Sequence, residues 1–282
     1  YGSLPDATQC RNTPMTDWNA IAHGTIATPD GDIVMSFESC GAARIDRCGN
    51  VEWATPEITH HSPNWLSDGG VVIAGGEFVA TPTKDLPWPY KGPYWEDLLF
   101  RYSAEGQLVL SKAMTEMFKE NGMAALLNSG SQFESRVDGE FHLNEIEELQ
   151  PAMAAAFPMF AAGDLLMSFR NLNMLVVTNA DASKVKWYRV GPWIRQHDAD
   201  FQPDGTITVF DNHTDNSLDG SREGGSRVMR VNPGTGVVTT VYGGRDDQHF
   251  YSSERGTHQM QPGGGVMVTE AQARRAVEVD AT

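Results

Sequence analysis

Four histidines carry the first chemical signal. His23, His61 and His197 each stand eight residues before a turn glycine, Gly31, Gly69 and Gly205, and His142 opens a similar stretch, HLNEIEELQ. An imidazole offers an unprotonated nitrogen near pH 7, because its ordinary pKa is about 6.5, and the same ring can donate an N–H. Arg170, in SFRN, adds a planar fork of donors suited to anionic oxygens. Imidazoles beside one guanidinium can hold an oxyanion and attack its central atom.

These residues recur because the chain repeats. HGTIATPDGDIVMS, HSPNWLSDGGVVIA and HDADFQPDGTITVF share one layout, and GTHQMQPGGGVMVT repeats it with Gly256 in the histidine position. In the copy that starts at His142, about thirteen additional residues, PAMAAAFPMFAAG, stand where the others have a short turn. Each copy reads as a strand, a turn with Asp-Gly, Gly-Gly or Gly-Asp, and an alternating strand. RIDRCGNVEWA, LLFRYSAEGQLVLS, LVVTNADASKVKWYRV and RVMRVNPGTGVVTTVYG then read as third-and-fourth strand pairs. Period-two alternation with regular turns, in units of roughly 40 residues, is the signature of a β-propeller blade.

The predicted fold is therefore all-β: one β-propeller domain over 1–282, built of four-stranded antiparallel blades, with a short helical insertion. Five repeat starts are visible, at 23, 61, 142, 197 and 256. Six blades are expected, the sixth assembled from 1–22 or from residues that would follow Thr282, because an open ring exposes edge strands. An insertion at about 111–138 predicts a helix over 111–119, with apolar Met114, Met117 and Phe118, capping the propeller edge. In a propeller the first strand of each blade is innermost. The repeated position then brings His23, His61, His142 and His197 to one channel mouth. The competing reading is structural: a repeated histidine that only hydrogen-bonds the next blade.

Composition narrows the partners. A net charge of −16 argues against nucleic acid and against an anionic membrane surface, both of which need clustered cations. No run approaches the roughly 20 apolar residues of a membrane helix, and no signal peptide is visible at Tyr1. Cys40 and Cys48 flank a hairpin in a way that separates their sulfurs. Cys10 paired with one of them, or three unpaired thiols, are the alternatives. No metal-type cysteine spacing occurs.

HHSPNWLSDGG, HLNEIEEL, GDLLMSFRNLNMLVV, KWYRVGP, QHDADFQPDGTITVFDN and RGTHQMQPGGGVMVTEAQARRAVEVD resemble the arylsulfotransferase family, the PAPS-independent bacterial aryl sulfotransferases and their relatives, over roughly 20–280. The resemblance implies a six-bladed propeller that moves a sulfuryl group from a phenolic sulfate to a phenol through a sulfohistidine. It places the nucleophile on His197 and the supporting positions on His61, His142 and Arg170. It also implies small-molecule partners, an aryl sulfate and a phenol, and a periplasmic or secreted location. His23, His60 and Asn171 are the candidates for substrate binding. The insertion between His142 and Arg170, and His213 where the family usually has glycine, depart from the pattern.

Other features carry less. Trp65 and Phe169 could hold a phenol, but their positions in the repeat suit the core. Asp211, Asp215 and Asp219 could bind Ca²⁺, although their spacing does not match an EF-hand loop and a solvated acidic turn is the plainer reading; no other cofactor and no metal site is expected. Asn212 begins a glycosylation sequon, NHT. The alternative to an enzyme is a non-catalytic propeller that binds an anionic small molecule at the His/Arg-lined mouth. A calcium-dependent hydrolase ranks last, since it would put carboxylates at the channel-facing position. No oligomeric state follows from the sequence.

Overall fold

The computed structural model describes residues 9–10, 13–14, 16, 21–81, 93–128 and 141–281. Two short strands, β1 (Gln9–Cys10) and β2 (Thr13–Pro14), pair with each other alone. Five sheets follow in chain order. Blade 1 comprises β3 (Ala22–Ala27), β4 (Ile33–Phe37), β5 (Ala42–Ile45) and β6 (Val51–Ala54). Blade 2 comprises β7 (Thr59–Trp65), β8 (Val71–Val79), β9 (Tyr94–Tyr102) and β10 (Leu108–Ala113). Blade 3 comprises β11 (Leu143–Glu148), β12 (Leu165–Phe169), β13 (Met174–Thr178) and β14 (Val185–Val190). Blade 4 comprises β15 (His197–Phe201), β16 (Ile207–Asp211), β17 (Arg227–Val231) and β18 (Val238–Gly243). Blade 5 has three strands, β19 (His258–Met260), β20 (Val266–Glu270) and β21 (Arg275–Val279). Within each blade, neighbours in sequence are antiparallel neighbours in the sheet.

The chain is thus a β-propeller, with five blades among the described residues rather than six. Every described strand from Ala22 to Val279 is accounted for by these five sheets, and no described strand of 1–22 joins blade 5. Instead Cys10 is disulfide-bonded to Cys40, which anchors the N-terminal ladder to blade 1, and Cys48 is an exposed free thiol.

Blade packing explains the strand sequences. The middle strands are covered on both faces, so β12 (LLMSF), β13 (MLVVT) and β16 (ITVFD) are buried throughout. The outermost strand of blade 3, VKWYRV, alternates between half-buried and exposed. The core lies between blades. Val34, Ile73 and Phe100 join blades 1 and 2; Leu99, Met167 and Phe169 join blades 2 and 3; Leu166, Phe201 and Val209 join blades 3 and 4; Phe210, Val228 and Val268 join blades 4 and 5. Burying each such side chain contributes about 1.5–3 kcal/mol.

The helix is α1 (Met114–Glu120), not 111–119. Ser111, Lys112 and Ala113 instead pair with Phe100, Leu99 and Leu98 as the end of β10. Met114, Met117 and Phe118 are fully buried, and Phe118 meets Phe141 and Phe169 in the core between blades 2 and 3, so the helix serves packing as expected. The rest of the expected insertion, 129–138, lies outside the described residues. The connection within blade 3, between Glu148 and Leu165, holds a single 3-10 turn at Ala154–Ala156. That turn abuts the β15–β16 hairpin at Gly205, whose φ of +79° and closeness to the Ala156 carbonyl leave no room for a Cβ.

Candidate functional site

The histidines converge at the inner strands. The His61 ring lies at the centre, with ring centroids 4.3 Å from His23, 4.9 Å from His60, 5.0 Å from His142 and 6.1 Å from His197. The strands that carry them pack edge to edge in chain order, β3 on β7, β7 on β11 and β11 on β15. Bulges aim the side chains: pairing register slips between Ala22 and Gly24, between His60 and Asn64, and between His197 and Ala199. An extra residue in one strand bends it and redirects what it carries. His61 and His142 sit in the left-handed region, at φ 60° and 55°.

The repeat register differs from the sequence expectation at His142. The hairpins close at Thr28, Leu66, Leu149 and Gln202. Counted back five residues from each, the common position holds His23, His61, Asn144 and His197. His142 lies two residues earlier, just ahead of β11. The long connection hid this, because it leaves no turn glycine eight residues beyond the common position. His142 reaches the cluster by another route. The Asp97 carboxylate accepts the backbone N–H groups of Phe141 (2.9 Å), His142 (3.3 Å) and Leu143 (3.1 Å), pinning that turn from blade 2. Burial pushes Asp97 up to about 7 against the pull of those three donors.

A second repeated position, not anticipated, completes the site. The residue that follows the second strand is Glu38 in blade 1, Arg170 in blade 3 and Asn212 in blade 4. Each turns to the histidines. Glu38 Oε2 lies 2.6 Å from His23 Nδ1, and this contact holds the Glu38 carboxyl below its usual range. Asn212 Oδ1 lies 2.7 Å from His197 Nδ1. Arg170 Nη1 donates to Asn171 Oδ1 at 3.2 Å, and its charge bears on both His142 and His197. The signal was available in sequence as SFES, SFRN and FDNH at the end of equivalent strands.

Asn212 decides the state of the His197 ring. Its Nδ2 donates to the carbonyls of Ser252 (2.8 Å) and Arg255 (2.7 Å), so Oδ1 is the acceptor. His197 Nδ1 therefore carries the proton, and Nε2 carries the lone pair. Burial, opposed by the Asn212 hydrogen bond and reinforced by the Arg170 charge, holds His197 down to about 4. His61 is held well below 6.5 by burial and by the other imidazoles, and His142 by burial and Arg170. All three are neutral at pH 7. Asn212 is 0% exposed, so the NHT sequon is closed in the folded chain. His213 has φ 49°, a conformation glycine adopts without strain.

His60 meets His61 through their Nδ1 atoms at 2.8 Å, and Asn171 is turned to Arg170. Phe169 is fully buried between blades; Trp65 is half-buried in the core of blades 1 and 2, with Arg44 5.9 Å from its ring centre. The three carboxylates considered for Ca²⁺ do not converge. Asp211 pairs with Arg227, Asp215 accepts from the backbone of Ser217, Arg222 and Glu223, and Asp219 accepts from Ser221.

A carboxylate group adjoins the histidines. Asp198, Asp200 and His258 bring three ligand-type atoms within 4.8 Å of one another. His258 Nδ1 bonds Asp198 at 2.8 Å and Nε2 bonds Thr208 at 2.7 Å. Nearby, Glu145 accepts from Asn64, and Glu147 accepts the Phe201 N–H at 2.6 Å. Burial and the charges of Asp198 and Asp200 raise Glu145 well above its ordinary value, and burial with Asp198 brings Asp200 up to about 7. A carboxylate group beside the histidines was not expected. Its trace in sequence is a period-two pair in two inner strands, Glu145/Glu147 in β11 and Asp198/Asp200 in β15.

Comparison with known proteins bears on this site. A family model described as Arylsulfotransferase (ASST) matches residues 26–282. No curated protein sequence matches the chain. Among solved structures, a protein of unknown function from Bacteroides caccae is similar at 12% identity and a TM-score of 0.56, covering 95% of this chain and 80% of that one. A streptogramin B lyase is similar at 10% identity and a TM-score of 0.46, covering 98% of this chain and 87% of that one. These likenesses concern the fold alone.

Proposed function

The chain belongs to the arylsulfotransferase family, and from that premise we propose that it moves a sulfuryl group from a phenolic sulfate ester to a phenol through a sulfohistidine on His197. The family implies small aryl substrates. One observation carries the reading: a buried imidazole whose tautomer Asn212 fixes with the lone pair on Nε2, beside Arg170, His61 and His142.

Sulfuryl transfer resembles phosphoryl transfer, with a loose in-line transition state and negative charge on the outer oxygens. His197 Nε2 attacks sulfur, the S–N bond forms, the sulfur–phenoxy bond breaks, and the phenolate leaves. The acceptor phenol then attacks sulfur, passes its proton to His61 or His142, and breaks the S–N bond, which returns the lone pair to His197 Nε2. Arg170 and the N–H groups of His61 and His142 stabilise the outer oxygens. As neutral imidazoles these two serve first as hydrogen-bond donors; a bound sulfate ester raises their proton affinity and lets one protonate the leaving phenolate. Removing one such donor costs on the order of 10²–10³ in rate.

The test is a chromogenic aryl sulfate with and without a phenol acceptor. Acceptor-dependent release that disappears in a folded His197→Ala supports the reading, whereas full turnover by that variant removes His197 as nucleophile. No release, with sulfate retained at the cluster, indicates an anion-binding propeller instead. The Cys10–Cys40 bond fits an oxidising compartment, and no helix among the described residues is long and apolar enough to cross a membrane. The disulfide supports a periplasmic or secreted location.

A further inference from the structure

The same three imidazoles have a second use. One ring nitrogen from each of His61, His142 and His197 lies within 4.8 Å of the other two, and they come from three different blades. In a tetrahedral zinc site with bonds of 2.0–2.1 Å, ligand nitrogens stand about 3.4 Å apart. Each pair here therefore has to close by no more than about 1.5 Å, within the reach of side-chain rotation. His197 already has the support that metal-binding histidines use: its Nδ1–H is held by Asn212, which fixes the ring and leaves Nε2 as the ligating nitrogen. His61 Nδ1 is likewise engaged by His60. Imidazole donors suit Zn²⁺, Cu²⁺ and Ni²⁺ rather than Ca²⁺ or Mg²⁺. Three protein ligands leave a fourth position for water or an anion.

The neighbouring Asp198–Asp200–His258 group is the instructive contrast. Its ligand atoms are as close, but both His258 nitrogens are already used, by Asp198 and Thr208. A metal there would first have to break one of these buried hydrogen bonds.

We infer that His61, His142 and His197 form a three-imidazole site for a divalent transition metal, Zn²⁺ as the reference ion, and that metal occupancy and sulfuryl transfer exclude each other because both need the His197 Nε2 lone pair. The binding claim stands by itself; the exclusion rests on the transfer reading above.

The experiment titrates Zn²⁺ into the purified chain by calorimetry and repeats the titration with Co²⁺, whose visible absorption reports tetrahedral coordination. Expected is one tight site per chain. Its affinity should fall at least tenfold in His142→Gln and in His61→Ala, stay unchanged in Asp200→Asn, and be absent for Mg²⁺. Thermal melts of each variant separate lost ligands from lost fold. Failure of the wild-type chain to bind Zn²⁺, or binding unchanged in His61→Ala and His142→Gln, overturns the site. In parallel, Zn²⁺ should abolish phenol release from the aryl sulfate and a chelator should restore it. Tight Zn²⁺ binding with undiminished turnover overturns the exclusion alone. Absence of turnover in the metal-free protein counts against the transfer reading, while calorimetry and the Co²⁺ spectrum still decide the metal site.

Discussion

His197 and Asp198 are consecutive residues of one inner strand, yet they belong to groups with opposite chemistry. The histidine cluster is neutral: burial and mutual repulsion keep His61, His142 and His197 unprotonated near pH 7. The carboxylate group retains protons: burial and mutual repulsion raise Glu145 and Glu147 and bring Asp200 to about 7, while His258 is raised by Asp198 and Asp200 in spite of its burial. Burial disfavours charge in both, and it removes a proton from imidazole but adds one to a carboxylate. The bulge between His197 and Ala199, with Asp198 at φ 49°, allows one strand to serve both. His197 bonds within its own blade, to Asn212; Asp198 bonds across to His258 in blade 5. The first group has lone pairs to offer a substrate, and the second spends its polar atoms joining blades 3, 4 and 5.

The contrast between the two groups is tested most severely at Arg170. Arg170→Ala is expected to lower kcat by about 10²- to 10³-fold while the melting temperature stays close to wild type, read by single-turnover release of phenol. A fall in stability without a fall in rate would make Arg170 structural. Next is Asn212→Leu, which frees the tautomer of His197 and is expected to cost on the order of 10- to 100-fold in the transfer step, the scale seen when the partner that orients a functional histidine is lost. A lesser effect on rate than on melting temperature would confine Asn212 to tying blade 4 to the Ser252–Arg255 segment.

pH gives the third test. With His197 held at about 4, kcat/KM should keep nearly its neutral value at pH 5.5; an unperturbed imidazole, with pKa about 6.5, would lose about tenfold there. An acid limb near 6.5 would show the ring to be solvated.

The smallest expected effect is on stability. The depressed histidine pKa values mean that the unfolded chain binds more protons below 6.5, so the histidine cluster loses stability as pH falls from 6.5 toward 4. The carboxylates act the other way. Between 3.8 and about 7 the folded chain holds the Asp200 proton more tightly than the unfolded chain does, so this group loses stability as pH rises through that window. His258 adds to the same slope, since stability from a raised histidine pKa is lost as pH rises through it. Asp200→Asn should therefore gain stability relative to wild type at pH 8 compared with pH 4, measured by denaturant melts at the two pH values. An equal shift at both would show Asp200 to be ionised throughout.

How much of this was legible follows from the range of each interaction. The hairpins were readable because alternation and Asp-Gly turns are local. RIDRCGNVEWA and RVMRVNPGTGVVTTVYG appear as strand pairs β5–β6 and β17–β18. The helix start was misplaced by three residues because Ser111–Ala113 follow a pairing partner, β9, that composition does not reveal. His142 was placed in the wrong register because the long connection after Glu148 obscured where the strand ended. Asp97, a carboxylate inside a buried strand, acts from the neighbouring blade, and nothing in its own surroundings in sequence points to His142.

The repeat, the strand-turn-strand units and the presence of imidazoles and one guanidinium near their ends are written in the amino-acid order, because backbone propensity and turn chemistry act over a few residues. Which imidazoles meet, that Asn212 fixes one ring while Asp198 turns to another blade, and that Cys10 pairs with Cys40 were settled only by the packing of the blades. Proton affinity and tautomer depend on what surrounds a ring in space. For His197 those surroundings come from Asn212, Arg170 and His61, which are assembled only in the folded ring.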